Sequence, residues 1–130
     1  MEYLVPGSSA LEALRRFKTL REPIGPLLQV SEIRIIASED LWLSGSYYLD
    51  NVGIHFTWTN HNAVLGVLPS LDAALHELGA RPFWGSLFTI APSQTDKTCP
   101  ECAPYTEMVR HRGPTGKFTN SVFESIIGII

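Results

Sequence analysis

Two short segments of the chain alternate between apolar and polar positions. In Ser31-Glu32-Ile33-Arg34-Ile35-Ile36, Ile33 and Ile35 fall on one side of an extended backbone and Glu32 and Arg34 on the other. In Gly53-Ile54-His55-Phe56-Thr57-Trp58-Thr59, Ile54, Phe56 and Trp58 oppose His55, Thr57 and Thr59. Alternation of this kind predicts two strands of a sheet with one apolar face buried. The other face then carries a carboxylate, a guanidinium, an imidazole and hydroxyls, which suits either solvent or the wall of a polar ligand site.

A different period governs the segments around these strands. From Ser9 to Leu20, Leu11, Leu14 and Phe17 are spaced as on a helix, with Arg15, Arg16 and Lys18 between them and Ser8 or Ser9 as N-cap; the helix ends before Pro23. Pro23, Gly25 and Pro26 then predict a turn into Leu27 to Ile36. From Asn62 to Leu78 the apolar stripe Val64, Val67, Leu68, Leu71, Ala74, Leu75 and Leu78 predicts an amphipathic helix closed by Gly79, with Pro69 marking a kink or a later start. Ala37 to Asn51, rich in aromatic residues and long for a connector, is expected to frame a site. Arg81 to Phe88 is expected to be extended, Ala91 to Pro104 a polar loop, and Tyr105 to Arg112 to hold a short helix before a turn at Gly113-Pro114-Thr115-Gly116. The sum is an α+β fold, a mainly antiparallel sheet with helices packed on one face.

Composition narrows the classes of partner. With 130 residues, 45% of them apolar, the chain can bury a modest core as one domain. Ten Lys and Arg against thirteen Asp and Glu give a net charge of −3, which supplies neither a field for nucleic acid nor a polybasic patch for a membrane. No run reaches the ~18 to 20 apolar residues of a spanning helix, and residues 1–20 lack the apolar core of a signal peptide. A cytoplasmic location is therefore expected, and Ile126 to Ile130 is too short to act as an anchor.

Cys99-Pro100-Glu101-Cys102 stands out as a motif, but a structural zinc site needs four ligands and the chain has no third cysteine; His111 would still leave the set incomplete. A thioredoxin-like role would need the first Cys at a helix start after a strand. The pair is expected to be an incidental, oxidisable loop feature, with no metal. Glu32, Arg34, His55 and Thr57 carry more chemistry. Histidine titrates near neutrality, and a glutamate beside an arginine can bind the hydroxyls of a polyol directionally. His61, at an expected turn, and His76, on the polar side of a helix, are expected to be solvated.

Four segments together resemble a known family. Ser31-Glu32-Ile33-Arg34, Ile54-His55-Phe56-Thr57-Trp58, Gly79-Ala80-Arg81-Pro82-Phe83-Trp84-Gly85 and Gly113-Pro114-Thr115-Gly116-Lys117-Phe118-Thr119-Asn120 are similar, in order and spacing, to the C-terminal part of alditol oxidases and D-arabinono-1,4-lactone oxidases, flavoenzymes of the vanillyl-alcohol oxidase type. The similarity runs from about Gln29 to Val122, interrupted by the cysteine-containing loop.

The resemblance implies a substrate lobe, residues 1–130 being one domain of a larger enzyme whose N-terminal domain binds FAD. Such enzymes oxidise a CH–OH group of a sugar alcohol or aldonolactone and pass the electrons to oxygen. Carried over by position, Glu32 and Arg34 would bind substrate hydroxyls, with Arg34 also stabilising negative charge. His55 would accept the hydroxyl proton, and Thr57 and Ser86 would line the substrate. Trp84, Lys117 and Asn120 would face the cofactor, and Pro114 to Asn120 would return the chain toward the FAD domain. Two departures qualify this. Ser86 stands where the family usually has a lysine, and losing a preorganised charge can cost ~10²-fold in rate. The stretch before Gln29 is also too short for an FAD-binding domain, so FAD is not expected to bind to this chain alone. The alternatives are one half of a split oxidase, whose FAD-binding domain is a separate chain, and a non-catalytic sugar-binding or interaction module.

Overall fold

A computed structural model describes residues 1–89, 99–117 and 119–127. Four strands form one antiparallel sheet: β1 (Glu2–Pro6), β2 (Leu28–Ile36), β3 (Asn51–Trp58) and β4 (Arg81–Pro82), in the order β2-β3-β1-β4. The helices are α1 (Ala10–Thr19), the single turn α2 (Arg21–Ile24), α3 (Ala63–His76), α4 (Cys102–Arg112) and α5 (Ser121–Ile127). The α+β class expected from the alternating and helical periods is the one observed.

The core lies between one face of the sheet and the helices α1 and α3. Tyr3 and Val5 of β1 and Ile54 and Phe56 of β3 meet Ala13 of α1 and Val64, Leu68, Leu71 and Leu75 of α3. Phe17 of α1 meets Phe56 edge to face at 5.1 Å, and Phe56 stacks on Trp58 at 5.4 Å. Burying Ile54 or Phe56 contributes ~1.5 to 3 kcal/mol each. Gly79, at a φ of 74°, ends the segment after α3 in a left-handed conformation that costs glycine little. Pro69 sits inside α3, which runs through it without ending.

Several expectations need correcting. Ile33 and Ile35 pair with Ile54 and Val52 and so share the core-side face, yet they are 58% and 90% exposed. The cause is position: β2 is the sheet's edge, and it joins the core beneath the helices at its first residue, Leu28, but not at Ile33 and Ile35. The N-terminal residues form a strand that the periodicities did not reveal, and β1 takes a central place in the sheet. Arg81 to Phe88 is extended only over Arg81–Pro82; a turn follows, closed by Ser86 N–H donating to Phe83 O at 3.0 Å. The last part of the expected Ala91 to Pro104 loop belongs instead to α4, which begins at Cys102. Ser9 occupies the N-cap of α1 without a capping side-chain bond. Residues 90–98, Phe118 and residues 128–130 lie outside the described part, and with them the first half of that loop and most of the apolar C-terminus.

A second, smaller cluster gathers Cys99, Cys102 and Ile126 with Leu43, Trp84, Phe88, Tyr105 and Phe123. Cys99 and Cys102 are joined as a disulfide at the start of α4. No group of three or more metal-ligating side chains occurs among the described residues, and none of their helices is long and apolar enough to cross a membrane.

Candidate functional site

The face of the sheet turned away from α1 and α3 is built by cross-strand pairing. His55 on β3 stands opposite Glu32 on β2 and opposite Glu2 on β1, so three side chains form one row across three strands. In the next row Arg34 stands opposite Gly53, and Gly53 opposite Leu4. Residues directly opposite each other share a face, so Glu32, Arg34, His55 and Thr57 do lie together, as the alternation predicts. Glu2 is the member that the sequence did not reveal. The short run Glu2-Tyr3-Leu4-Val5 before Pro6 carries no polar–apolar alternation, so Glu2 becomes readable only once β1 is known to pair with β3.

The row is linked by charge. Arg34 Nη2 donates to Glu32 Oε2 at 2.7 Å, and Arg34 Nη1 lies 3.7 Å from Glu2 Oε1. Glu2 Oε2 in turn lies 3.6 Å from His55 Nδ1. The outer pair is about half exposed, whereas the side chains of Glu2 and His55 are 14% and 27% exposed. Gly53 makes the Arg34 to Glu2 approach possible: a Cβ there would meet Glu2 Oε1 at 3.1 Å and Ile36 Cδ1 at 2.8 Å. Thr57 is exposed on the same face, opposite Val30.

Beside this row opens a cleft of about 380 Å³, within the range of small-ligand pockets. Glu2 lines it together with Glu39, Ser44, Arg81, Phe83 and Trp84. Glu32, Arg34, His55 and Thr57 do not line it, so Glu2 is where the charged row and the cleft meet. The connector from Ala37 to Asn51 supplies one wall, as its length and aromatic content suggest. It is pinned by Asn51, whose Nδ2 donates to Gly45 O, Ser46 Oγ and Leu49 O, each at 3.1 Å. Asp50 Oδ1 accepts the Ser38 N–H at 2.8 Å, which holds the Asp50 carboxyl below the usual range. Arg81 lines the cleft and donates from Nη1 to Gly45 O at 3.1 Å; burial lowers its pKa from the ordinary arginine value. In the same connector Tyr47 donates to Glu101 Oε1 at 3.3 Å, and desolvation, then the Glu101 charge, raise the Tyr47 phenol.

Ser86 comes to the same place from β4. Its Oγ accepts the Glu2 N–H at 3.1 Å and donates to Phe83 O at 2.9 Å. The hydroxyl therefore fastens the turn after β4 to the strand that carries Glu2. Trp84 lines the cleft beside it. Asn120 lies elsewhere: its Oδ1 accepts the Phe123 N–H at 2.9 Å at the start of α5, and it borders a separate cleft of about 400 Å³ between α4 and α5. Lys117 is exposed in the turn before α5. Trp84 thus lines one cleft and Asn120 borders another.

The remaining histidines stay outside the site. His61 is exposed, and its Nδ1 accepts the Ala63 N–H at 3.0 Å at the start of α3. His76 is half-buried near the end of α3. A polar group the sequence also hid is Asp72, buried on α3, which accepts from the Tyr3 hydroxyl and from Thr89 N–H at 2.8 Å. Its place in the apolar stripe, four residues after Leu68 and three before Leu75, is the signal that could have found it.

Comparison with known proteins identifies the family of the chain. A family model described as D-arabinono-1,4-lactone oxidase matches residues 1–126, so the match takes in β1 and Glu2 and reaches well before Gln29. The alditol oxidase of Streptomyces sp. (strain IKD472 / FERM P-14339) is 36% identical over 127 residues, which cover 97% of this chain and 31% of that relative. The chain thus spans about a third of the length of the relative it matches. Matched over nearly its whole length, it belongs to the D-arabinono-1,4-lactone oxidase family.

Proposed function

We propose that this lobe is the substrate-binding part of a FAD-dependent oxidase acting on the CH–OH group of a sugar alcohol or aldonolactone, with oxygen as acceptor. The observation that carries the proposal is the row Glu32, His55 and Glu2 with Arg34 laid across it, on the open face of a sheet and beside a cleft. Acceptors and donors side by side suit the hydroxyls of a polyol, each of which both donates and accepts. Glu32 accepts from substrate hydroxyls, Arg34 donates to them and steadies negative charge on the reacting oxygen, His55 takes the hydroxyl proton, and Thr57 borders the reacting end. Ser86 acts on the substrate indirectly by holding Glu2.

The flavin would supply the acceptor for the hydride. The chain spans about a third of the length of the relative it matches, so we assign FAD binding to polypeptide outside it and predict no turnover by the lobe alone. A second possibility of the same kind, consistent with the chain spanning about a third of the relative's length, is a working half completed by a separate FAD-binding chain.

The test is to express the chain alone, add FAD, and assay peroxide production from xylitol, sorbitol and arabinono-1,4-lactone, while measuring binding of each by calorimetry. Saturable binding without peroxide is the expected result. Turnover by the lobe alone would overturn the division of labour, and absence of binding would leave a non-catalytic interaction module as the better description.

A further inference from the structure

His55 stands between two glutamates that are not equivalent. Glu32 is bonded to Arg34 at 2.7 Å and is half exposed, so its charge is shared with a guanidinium and with water. Glu2 is largely enclosed, and its Oε2 lies 3.6 Å from His55 Nδ1. That nitrogen is itself buried and has no hydrogen-bond partner among the described residues. A buried polar atom without a partner costs ~1 to 3 kcal/mol, and a carboxylate oxygen needs to move by well under an ångström to supply one.

We propose that Glu2 is the positioning residue of this site: its Oε2 accepts Nδ1–H of His55 and fixes the imidazole in the tautomer whose Nε2 lone pair faces the ligand. A neutral imidazole carries one proton, and the nitrogen that has an acceptor keeps it. The exposed quarter of the His55 side chain belongs to atoms other than the buried Nδ1, and Nε2 is the one other nitrogen that a substrate hydroxyl could meet. Glu2 is in turn held from three directions. Arg34 approaches its other oxygen at 3.7 Å, Ser86 accepts its backbone N–H at 3.1 Å, and the missing side chain at Gly53 leaves room for its carboxylate. The inference rests on the proposed polyol site for what Nε2 would meet, but the tautomer is a property of the free chain.

The experiment is a long-range proton–nitrogen correlation on the whole chain with ¹⁵N-labelled histidine, about two pH units above the ordinary histidine value of ~6.5. The expected result is His55 protonated at Nδ1 in the wild type, loss of that preference in Glu2→Met, and its retention in Glu32→Met. Protonation at Nε2 in the wild type overturns the proposal, as does a change in Glu32→Met with none in Glu2→Met. If Glu2→Met fails to fold, the wild-type and Glu32→Met spectra decide. Xylitol added to the same samples separates the two ideas: Nδ1 protonation without binding sinks the polyol site and leaves the orienting role of Glu2 intact, while binding with Nε2 protonation does the reverse.

Discussion

Ser86 Oγ accepts the backbone N–H of Glu2 at 3.1 Å, a bond that spans 84 residues of sequence. Where the family resemblance leads one to expect a lysine, this chain has a hydroxyl that ties the turn after β4 to β1. A lysine ammonium has three donors and no acceptor, so it cannot take this role. Ser86→Ala and Ser86→Lys are both expected to lose about 1 kcal/mol of stability, measured by urea unfolding. Stability unchanged in both would show that the bond does not hold the strand.

Gly53 is predicted to be a site residue through what it lacks. A valine suits a strand, but its side chain would stand where Arg34 approaches Glu2. Gly53→Val should keep the far-ultraviolet circular dichroism of the wild type and weaken polyol binding by at least about tenfold, or about 1.4 kcal/mol. Unaltered binding in a folded variant would remove Gly53 and the Arg34 to Glu2 approach from the site.

Tyr3 and Asp72 give a pH dependence with a definite sign. Burial, then the hydrogen bond and charge of Asp72, raise the Tyr3 phenol well above the ordinary value of ~10. A group whose folded value is raised contributes its full stability below the unfolded value, and that contribution is lost as pH climbs past it. The chain should therefore lose stability above about pH 10, and Tyr3→Phe should flatten that decline while costing about 1.5 to 3 kcal/mol at neutral pH. Thermal unfolding from pH 7 to 11 on both proteins measures it.

Ile35 and Ile54 should respond very unequally to loss of their apolar side chains. Ile54→Ala opens a cavity in the core and is expected to cost about 2 to 5 kcal/mol, whereas Ile35→Thr, at a site 90% exposed, should change stability by no more than about 0.5 kcal/mol. Denaturant unfolding of the two variants tests whether β2 is open on its core-side face in solution.

The same pair shows how far the sequence could be read. Alternation placed Ile33, Ile35, Ile54 and Phe56 on one side of a sheet correctly, because side-chain direction is a local property of a strand. It could not tell that the core would take in Ile54 and Phe56 of β3 and leave out Ile33 and Ile35 of β2, because that depends on strand order, which is set by a β1 too short to announce itself. The site followed the same division. Glu32, Arg34, His55 and Thr57 were legible from period two, while Glu2 entered only through pairing across more than 50 residues. Ser86 stands out in the sequence for the charge it lacks, but its bond to Glu2 depends on where the fold brings the turn after β4. The turn at Gly113 to Gly116 was legible in full, since Gly116 adopts a φ of 66° and its N–H donates to Gly113 O at 2.9 Å.

The most direct measurement is a proton–nitrogen correlation spectrum of the labelled chain during titration with xylitol and with arabinono-1,4-lactone, repeated on Arg34→Ala. A polyol site on the open face predicts saturable shifts centred on Glu2, Glu32, Arg34, His55 and Thr57, spreading to the Ser44 to Ser46 wall of the cleft and abolished in Arg34→Ala. Shifts confined to the cleft between α4 and α5, or identical shifts in the wild type and Arg34→Ala, would contradict it.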